Sequence, residues 1–153
     1  MKPIEIFAWE RTREFVALPE QQDKIFIFGD NTIDRLNGYI ARKTQAVIRW
    51  LPNTFGIDTK KNRFKTDDSY FTNDDLSSYK VYIDACLQTL KQKAETQTLV
   101  FPAWWIGTWR AMLREKAPLL LDYLNTQLFD IFGFKNEKRD GDLSVSFCII
   151  NIT

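Results

Sequence analysis

Lys24-Ile25-Phe26-Ile27-Phe28-Gly29-Asp30-Asn31 is the stretch on which the reading of the fold turns. Residues 24–28 are a short, apolar, β-prone run, closed by three residue types that tolerate a left-handed backbone. The run is predicted to be a buried strand ending in a turn at Gly29, Asp30 and Asn31. Working outward, the hydrophobic period then changes. From about Gly38, the residues Ile40, Thr44, Val47, Ile48 and Leu51 recur at helical spacing, with Arg42, Lys43, Gln45 and Arg49 elsewhere, which predicts a helix stopping before Pro52. Residues 54–57 read as a second short strand, followed by a polar loop from 58 to 69 that carries Lys60, Lys61, Arg63 and Lys65.

Strand and helix continue to alternate. Thr72 or Asn73 is a helix cap, with Asp74 and Asp75 where the helix dipole favours negative charge. Leu76, Tyr79, Ile83, Cys86, Leu87 and Leu90 form one apolar stripe, so this helix should run to about residue 94. Residues 98–102 read as a buried strand and 104–109 as the loop leaving it. Pro118 suits the first turn of a third helix, containing Leu120, Leu121, Leu124, Leu128 and Phe132, and Gly133 suits its end. The alternation of Leu143, Val145, Phe147 and Ile149 with polar residues gives a last strand, at a sheet edge or paired antiparallel. The pattern predicts one α/β domain over residues 1–153, with a largely parallel, mixed sheet covered by helices on both faces. In such folds ligands bind beyond the carboxyl ends of the strands. Residues 29–38, 58–61 and 104–110 are the segments that leave those ends.

Composition narrows the chemistry. Basic and acidic residues number 21 and 20 in 153, a balance that speaks against nucleic acid or anionic lipid as the partner. No apolar run approaches the ~18 residues of a membrane span, and the amino terminus lacks a signal-peptide core, so a cytoplasmic protein is expected. Cys86 and Cys148 fall in apolar periodic segments and are expected to be buried and unpaired. There is no histidine. That removes the usual general base and metal ligand, and no bound metal or cofactor is called for. The sequence names no catalytic residue.

A resemblance enters through short motifs in a fixed order: Phe28-Gly29-Asp30-Asn31; Gly38; Gly56-Ile57-Asp58-Thr59-Lys60-Lys61; Tyr70-Phe71-Thr72-Asn73-Asp74-Asp75; Phe101-Pro102; Ile106-Gly107-Thr108; Ala117-Pro118. Together they resemble an uncharacterised domain family of tailed phages and bacteria, itself distantly similar to macro domains, the modules that bind ADP-ribose and related nucleotides. The resemblance covers roughly residues 24 to 125. It implies a macro-domain-like pocket for an ADP-ribose-type or other nucleotide or phosphate ligand. In that family, glycine-rich turns follow the first motif and close the last. Here Gly38 stands alone before Tyr39, and Trp109 takes the place of the last glycine. An indole there either fills a phosphate cradle or stacks on a base.

The candidate ligand-binding residues are therefore Gly29, Asp30, Asn31, Gly38, Lys60, Lys61, Gly107, Thr108, Trp109 and Arg110. Each has a plain alternative: the first three as a turn, the lysines as a solvated loop. Lys60 and Lys61 can neutralise a phosphate, and Arg110 can clamp it bidentately. Trp104, Trp105 and Trp109 crowd one loop, and tryptophan is enriched at interaction hot spots. The competing expectation is thus a non-enzymatic module that grips a host protein through this loop.

Overall fold

The computed structural model describes residues 2–7, 11–40, 44–103 and 106–137, together with the backbone of 147–150. Ile4–Phe7 forms β1, Lys24–Asn31 β2, Thr54–Lys60 β3, Thr98–Pro102 β4 and Phe147–Ile150 β5. Arg13–Val16 (α1), Thr32–Asn37 (α2), Leu76–Lys93 (α3), Leu113–Lys116 (α4) and Pro118–Phe132 (α5) are the α-helices between them. The sheet order is β3-β2-β4-β1-β5; β1 to β4 are parallel and β5 runs antiparallel to β1 at the edge. The predicted mixed α/β sheet is therefore what forms, with segments 24–28 and 98–102 as parallel neighbours.

The two faces of the sheet are covered unequally. On one, Ile25, Ile27, Ile57, Leu99 and Phe101 pack beneath α3 and α5, helices of 18 and 15 residues. The stripes read from sequence supply this layer: Tyr79, Ile83, Leu87 and Leu90 from α3, and Leu120, Leu124, Leu128 and Phe132 from α5 are all buried. Thr72 accepts from the Asp74 N–H, Pro118 opens α5, and Gly133 ends it in the left-handed region at φ 70°. On the other face Phe7, Phe26, Phe28 and Val100 lie under Val16, Ala46 and Ile48, which come from short pieces. Those pieces are α1 and a 3-10 turn at Gln45–Ile48, of four residues each. They leave the part of β3 at Thr54 and Gly56 only partly covered.

Several expectations need correction. The helix expected from Gly38 to Leu51 does not form. Gly38, at φ 71°, instead terminates α2, and Thr44 caps the 3-10 turn that follows. Trp50 at φ 70° then breaks any helical continuation. Ala46 and Ile48 still bury their side chains, so the apolar spacing was satisfied without the helix. Both central strands outrun their predicted ends. Gly29, Asp30 and Asn31 lie within β2, and 58–60 within β3, because the two strands remain paired as far as Asn31 and Lys60. The amino-terminal strand β1 was not read as an element at all. Cys86 is half-buried rather than fully buried, and it is a free thiol. The side chain of Cys148, the expected strand residues 143–146, and Trp104 and Trp105 lie outside the described residues.

Candidate functional site

The chain leaves β2 and β4 in opposite directions, β2 toward β3 and β4 toward β5 on the far edge, so their carboxyl ends form the switch point at which a fold of this kind places its ligand crevice. Their backbone pairing stops at Phe26 and Val100. Beyond it, the buried Arg11 guanidinium donates to the Ile27 and Val100 carbonyls, spanning the widening gap. Burial lowers its pKa to about 9. Gly29 and Gly107 meet above this point. A Cβ on Gly29 would lie 3.6 Å from Thr59 Oγ1 and 3.9 Å from Ile106 Cγ2, and one on Gly107 would lie 3.6 Å from Thr59 Cγ2. Two observations favour glycine at 107: its φ is +92°, and a Cβ would come within 2.6 Å of Leu113 Cδ1. Asn136 clamps the loop from behind, accepting from the Ile106 N–H and donating to its carbonyl, each at 2.8 Å.

Cations gather beside this crevice. A register shift between Asp30 and Asn31 places an extra residue in β3, so that Asn31 pairs with Lys60. The Lys60 ammonium donates to the Phe64 carbonyl at 2.6 Å and sits 4.6 Å from the ring centre of Tyr70, with Lys116 Nζ 5.0 Å from the same ring. The Lys60 pKa is lowered, first by burial and then by the positive charges of Lys65 and Arg110. Among the described residues, none of Lys60, Lys65, Arg110 and Lys116 forms an ion pair. Lys61, by contrast, pairs with Asp75 at 3.6 Å.

The other predicted site residues have local duties. Gly29 gives its N–H to Gln45 Oε1 at 2.8 Å, and Asn31 caps α2 by accepting from the Asp34 N–H at 2.9 Å. Gly38 leaves room for the indole of Trp50, whose Cε2 would be 3.5 Å from an added Cβ. Thr108 precedes a 3-10 turn without capping it. Trp109 is 85% exposed and held at φ 61°.

Asp30 faces away from Gly29, as alternation along a strand requires. It opens onto a cleft of about 410 Å³ on the thinly covered face of β2 and β3. Phe28, Leu36, Trp50 and Leu51 make its apolar walls, and Asp30, Arg35 and Arg49 its polar lining. Two buried carboxylates stand side by side there, since Asp30 and Asp58 are register partners. Arg49, 2% exposed, donates through Nε to Asp30 Oδ1 at 2.9 Å, through Nη2 to the same oxygen, and through Nη1 to the Tyr39 carbonyl. Arg35 holds Asp58 through Nε at 2.9 and 3.0 Å and through Nη2 at 2.8 Å. Asp30 Oδ2 is buried and has no hydrogen-bond partner. Desolvation raises the Asp30 pKa, against the pull of Arg49. Gly56 makes room for that carboxylate, because a Cβ would lie 2.7 Å from Oδ2. At the open edge of β3, Tyr82 accepts from the Asp58 N–H at 2.7 Å and Tyr79 donates to the Asp58 carbonyl at 2.9 Å. Burial raises both phenols, so both stay protonated at neutral pH.

Sequence reasoning did not find Arg35, Leu36, Arg49, Trp50, Tyr70 or Lys116. For Arg49 the helical reading pointed the wrong way, because it set that residue off the apolar face.

Fold and crevice define the class: an α/β domain with a mostly parallel sheet and a switch-point crevice flanked by cations. Residues 9–127 match a family of unknown function, DUF7831, and the chain belongs to that family. Neither the curated proteins nor the solved structures yield a match. Among the described residues no helix is long and apolar enough to cross a membrane, and no group of three His, Cys, Asp or Glu side chains is placed to hold a metal ion.

Proposed function

We propose that this chain binds a phosphate-bearing ligand of the nucleotide type, such as ADP-ribose, at the crevice between the carboxyl ends of β2 and β4. One observation carries the reading: Gly29 and Gly107 both approach Thr59, beside four cations that form no ion pair among the described residues. Buried or half-buried like charges repel one another, and an arriving phosphate relieves that repulsion while gaining charge-assisted hydrogen bonds. Lys60 lies at the base of the group, Lys116 is half-buried, and Lys65 and Arg110 are exposed at its rim. Isothermal titration with ADP-ribose, ADP and pyrophosphate tests the reading, followed by a check for turnover of any ligand that binds. Replacing Arg110 or Lys116 by Ala should weaken binding by about 1.5–3 kcal/mol, roughly ten- to a hundredfold. No heat from any of the three ligands, or equal affinity in both variants, refutes it.

A second reading rests on Trp109. An indole 85% exposed on left-handed backbone is held outward at a cost in strain, which suits a protein-contact residue. By the resemblance to phage and bacterial domains, the partner would be a host protein. Capture from host lysate by the wild type, lost in Trp109→Ala, favours this reading.

A further inference from the structure

We propose that the cleft over β2 and β3 is a second site, binding a neutral sugar ring, either a free saccharide or the ribose of a nucleoside. The inference is independent of the phosphate reading, for the cleft lies on the other face of the strands and its charges cancel. Asp30 is matched by Arg49 and Asp58 by Arg35, so a charged ligand gains little net attraction there.

One acceptor of the cleft floor lacks a donor. Asp30 Oδ2 is buried and unpartnered on a side chain that is 5% exposed and lines the cleft. A buried acceptor left without a donor is costly, and a ligand hydroxyl donating to it removes that penalty. Arg35, whose side chain is 38% exposed and holds Asp58 through Nε and Nη2, lines the same cleft as a donor. Vicinal hydroxyls, each able to donate and accept, suit this mixture of partners. A cationic ligand would meet two guanidinium groups, which rules against it.

The walls select a ring. Trp50 is 65% exposed and Leu36 64%, an apolar pair on the rim of a charged floor. Trp50 stands at φ 70° with its indole beside Gly38, so a bulky residue holds a strained conformation at the rim of the cleft. The other exposed wall is aliphatic. A planar base would find one exposed ring to stack on, whereas the C–H faces of a sugar pack on leucine and indole alike. The volume of about 410 Å³ lies within the range of ~300–1,000 Å³ typical of small-ligand sites.

The experiment follows the Trp50 indole N–H resonance, assigned by its loss in Trp50→Gly, while ribose, glucose, adenosine and adenine are added to the intact chain. Glycine suits the φ at position 50, so this variant folds, and Asp30→Asn supplies a second arm. Saturable shifts with ribose or glucose are expected if the ligand is a free saccharide, and with adenosine but not adenine if it is a nucleoside. In either case binding, read for the variants from the backbone amide shifts of residues lining the cleft, is weakened at least tenfold in Trp50→Gly. Asp30→Asn, which puts a donor or a neutral acceptor where Oδ2 stands, should weaken it as well. Three results overturn the proposal: no saturable shift with any sugar-bearing ligand, adenine binding as well as adenosine, or unchanged affinity in Trp50→Gly.

Discussion

Replacing Arg49 by Met tests the electrostatics of the cleft floor most directly. The substitution keeps much of the side-chain volume but removes every hydrogen bond from Arg49 to Asp30 Oδ1, leaving that oxygen the Asn31 N–H at 2.8 Å. Oδ2 already lacks a partner, so a carboxylate only 5% exposed would be left almost bare. Stripping one partner from a buried ion pair costs about 3–5 kcal/mol, which for a chain of this length is a drop in Tm of about 6–20 °C. The pH dependence carries a sign. Burial already raises the Asp30 pKa in the folded state above its ordinary 3.8, and losing Arg49 raises it further. Between the unfolded and folded values the folded chain holds more protons, so stability falls as pH rises through that interval. The cost of Arg49→Met should therefore be largest at neutral pH and shrink in acid, as Asp30 takes up a proton. Urea unfolding of wild type and variant at neutral and acid pH measures it. Pairing Arg49→Met with Asp30→Leu should recover most of the loss, since well-packed apolar groups often replace a buried pair without cost. A loss below about 1 kcal/mol at neutral pH, or one that does not shrink in acid, refutes the reasoning.

Gly56→Ala should cost about 1–2 kcal/mol in urea unfolding, because its Cβ would press on Asp30 Oδ2 and, at 2.9 Å, on the buried Phe28 ring, outweighing the ~0.5–1 kcal/mol that alanine gains over glycine within a strand. Phe28→Leu should relieve part of that cost, and strict additivity of the two would count against the contact. Trp109→Gly should leave stability unchanged within about 1 kcal/mol despite deleting the largest side chain, since relief of left-handed strain offsets the loss of a mostly exposed indole. The same variant separates the functional readings: nucleotide binding improves if the indole fills the cradle and weakens if it stacks on a base, whereas protein capture weakens if the indole is a hot spot. Because the Lys60 pKa is lowered, pyrophosphate affinity should begin to fall with rising pH below 10.5, the ordinary lysine value, and Lys60→Arg should abolish that early fall.

Strands β2 and β4 and the two long helices were legible because their signals were local, whereas β1 was missed. The apolar runs at 24–28 and 98–102, the stripes of α3 and α5, and the caps Thr72, Pro118 and Gly133 each sit in an unbroken segment whose period matches its structure. The stretch from Gly38 to Leu51 misled for a physical reason. Spacing reports which residues are buried, not the backbone that buries them, and a 3-10 turn beneath β2 places Ala46 and Ile48 as well as a helix would. The glycines and lysines at strand ends were visible as candidates because polar and flexible residues after a strand are conspicuous. The pairing of Asp30 with Asp58 was not, for it depends on the register of two strands separated by the whole of α2 and the turn after it. Arg35 and Arg49 were hidden likewise, since a buried arginine looks like a solvated one until its carboxylate is found. Trp50 carried no signal for its left-handed backbone, which only Gly, Asn or Asp would have advertised.

The unequal cover of the sheet sets the final prediction, that salt distinguishes the two proposed sites. Beneath α3 and α5 the polar groups are pushed to the sheet's carboxyl end, where Lys65 and Arg110 stand exposed with no paired carboxylate among the described residues. Charge that is exposed and uncompensated is screened over about 8–10 Å at ordinary ionic strength, so phosphate binding at the crevice must weaken steadily as salt is added. On the thin face the carboxylates and guanidinium groups have already met, with Arg49 and Asp30 almost wholly enclosed. Screening has little to act on in a closed pair, and a neutral sugar brings no charge of its own. Its affinity should stay flat across a salt series that lowers pyrophosphate affinity at least tenfold, measured on the same protein by titration calorimetry for the anion and by the Trp50 indole resonance for the sugar. Parallel salt dependence for the two ligands would show that they share one charged site, and the division of chemistry between the faces of the sheet would then fail.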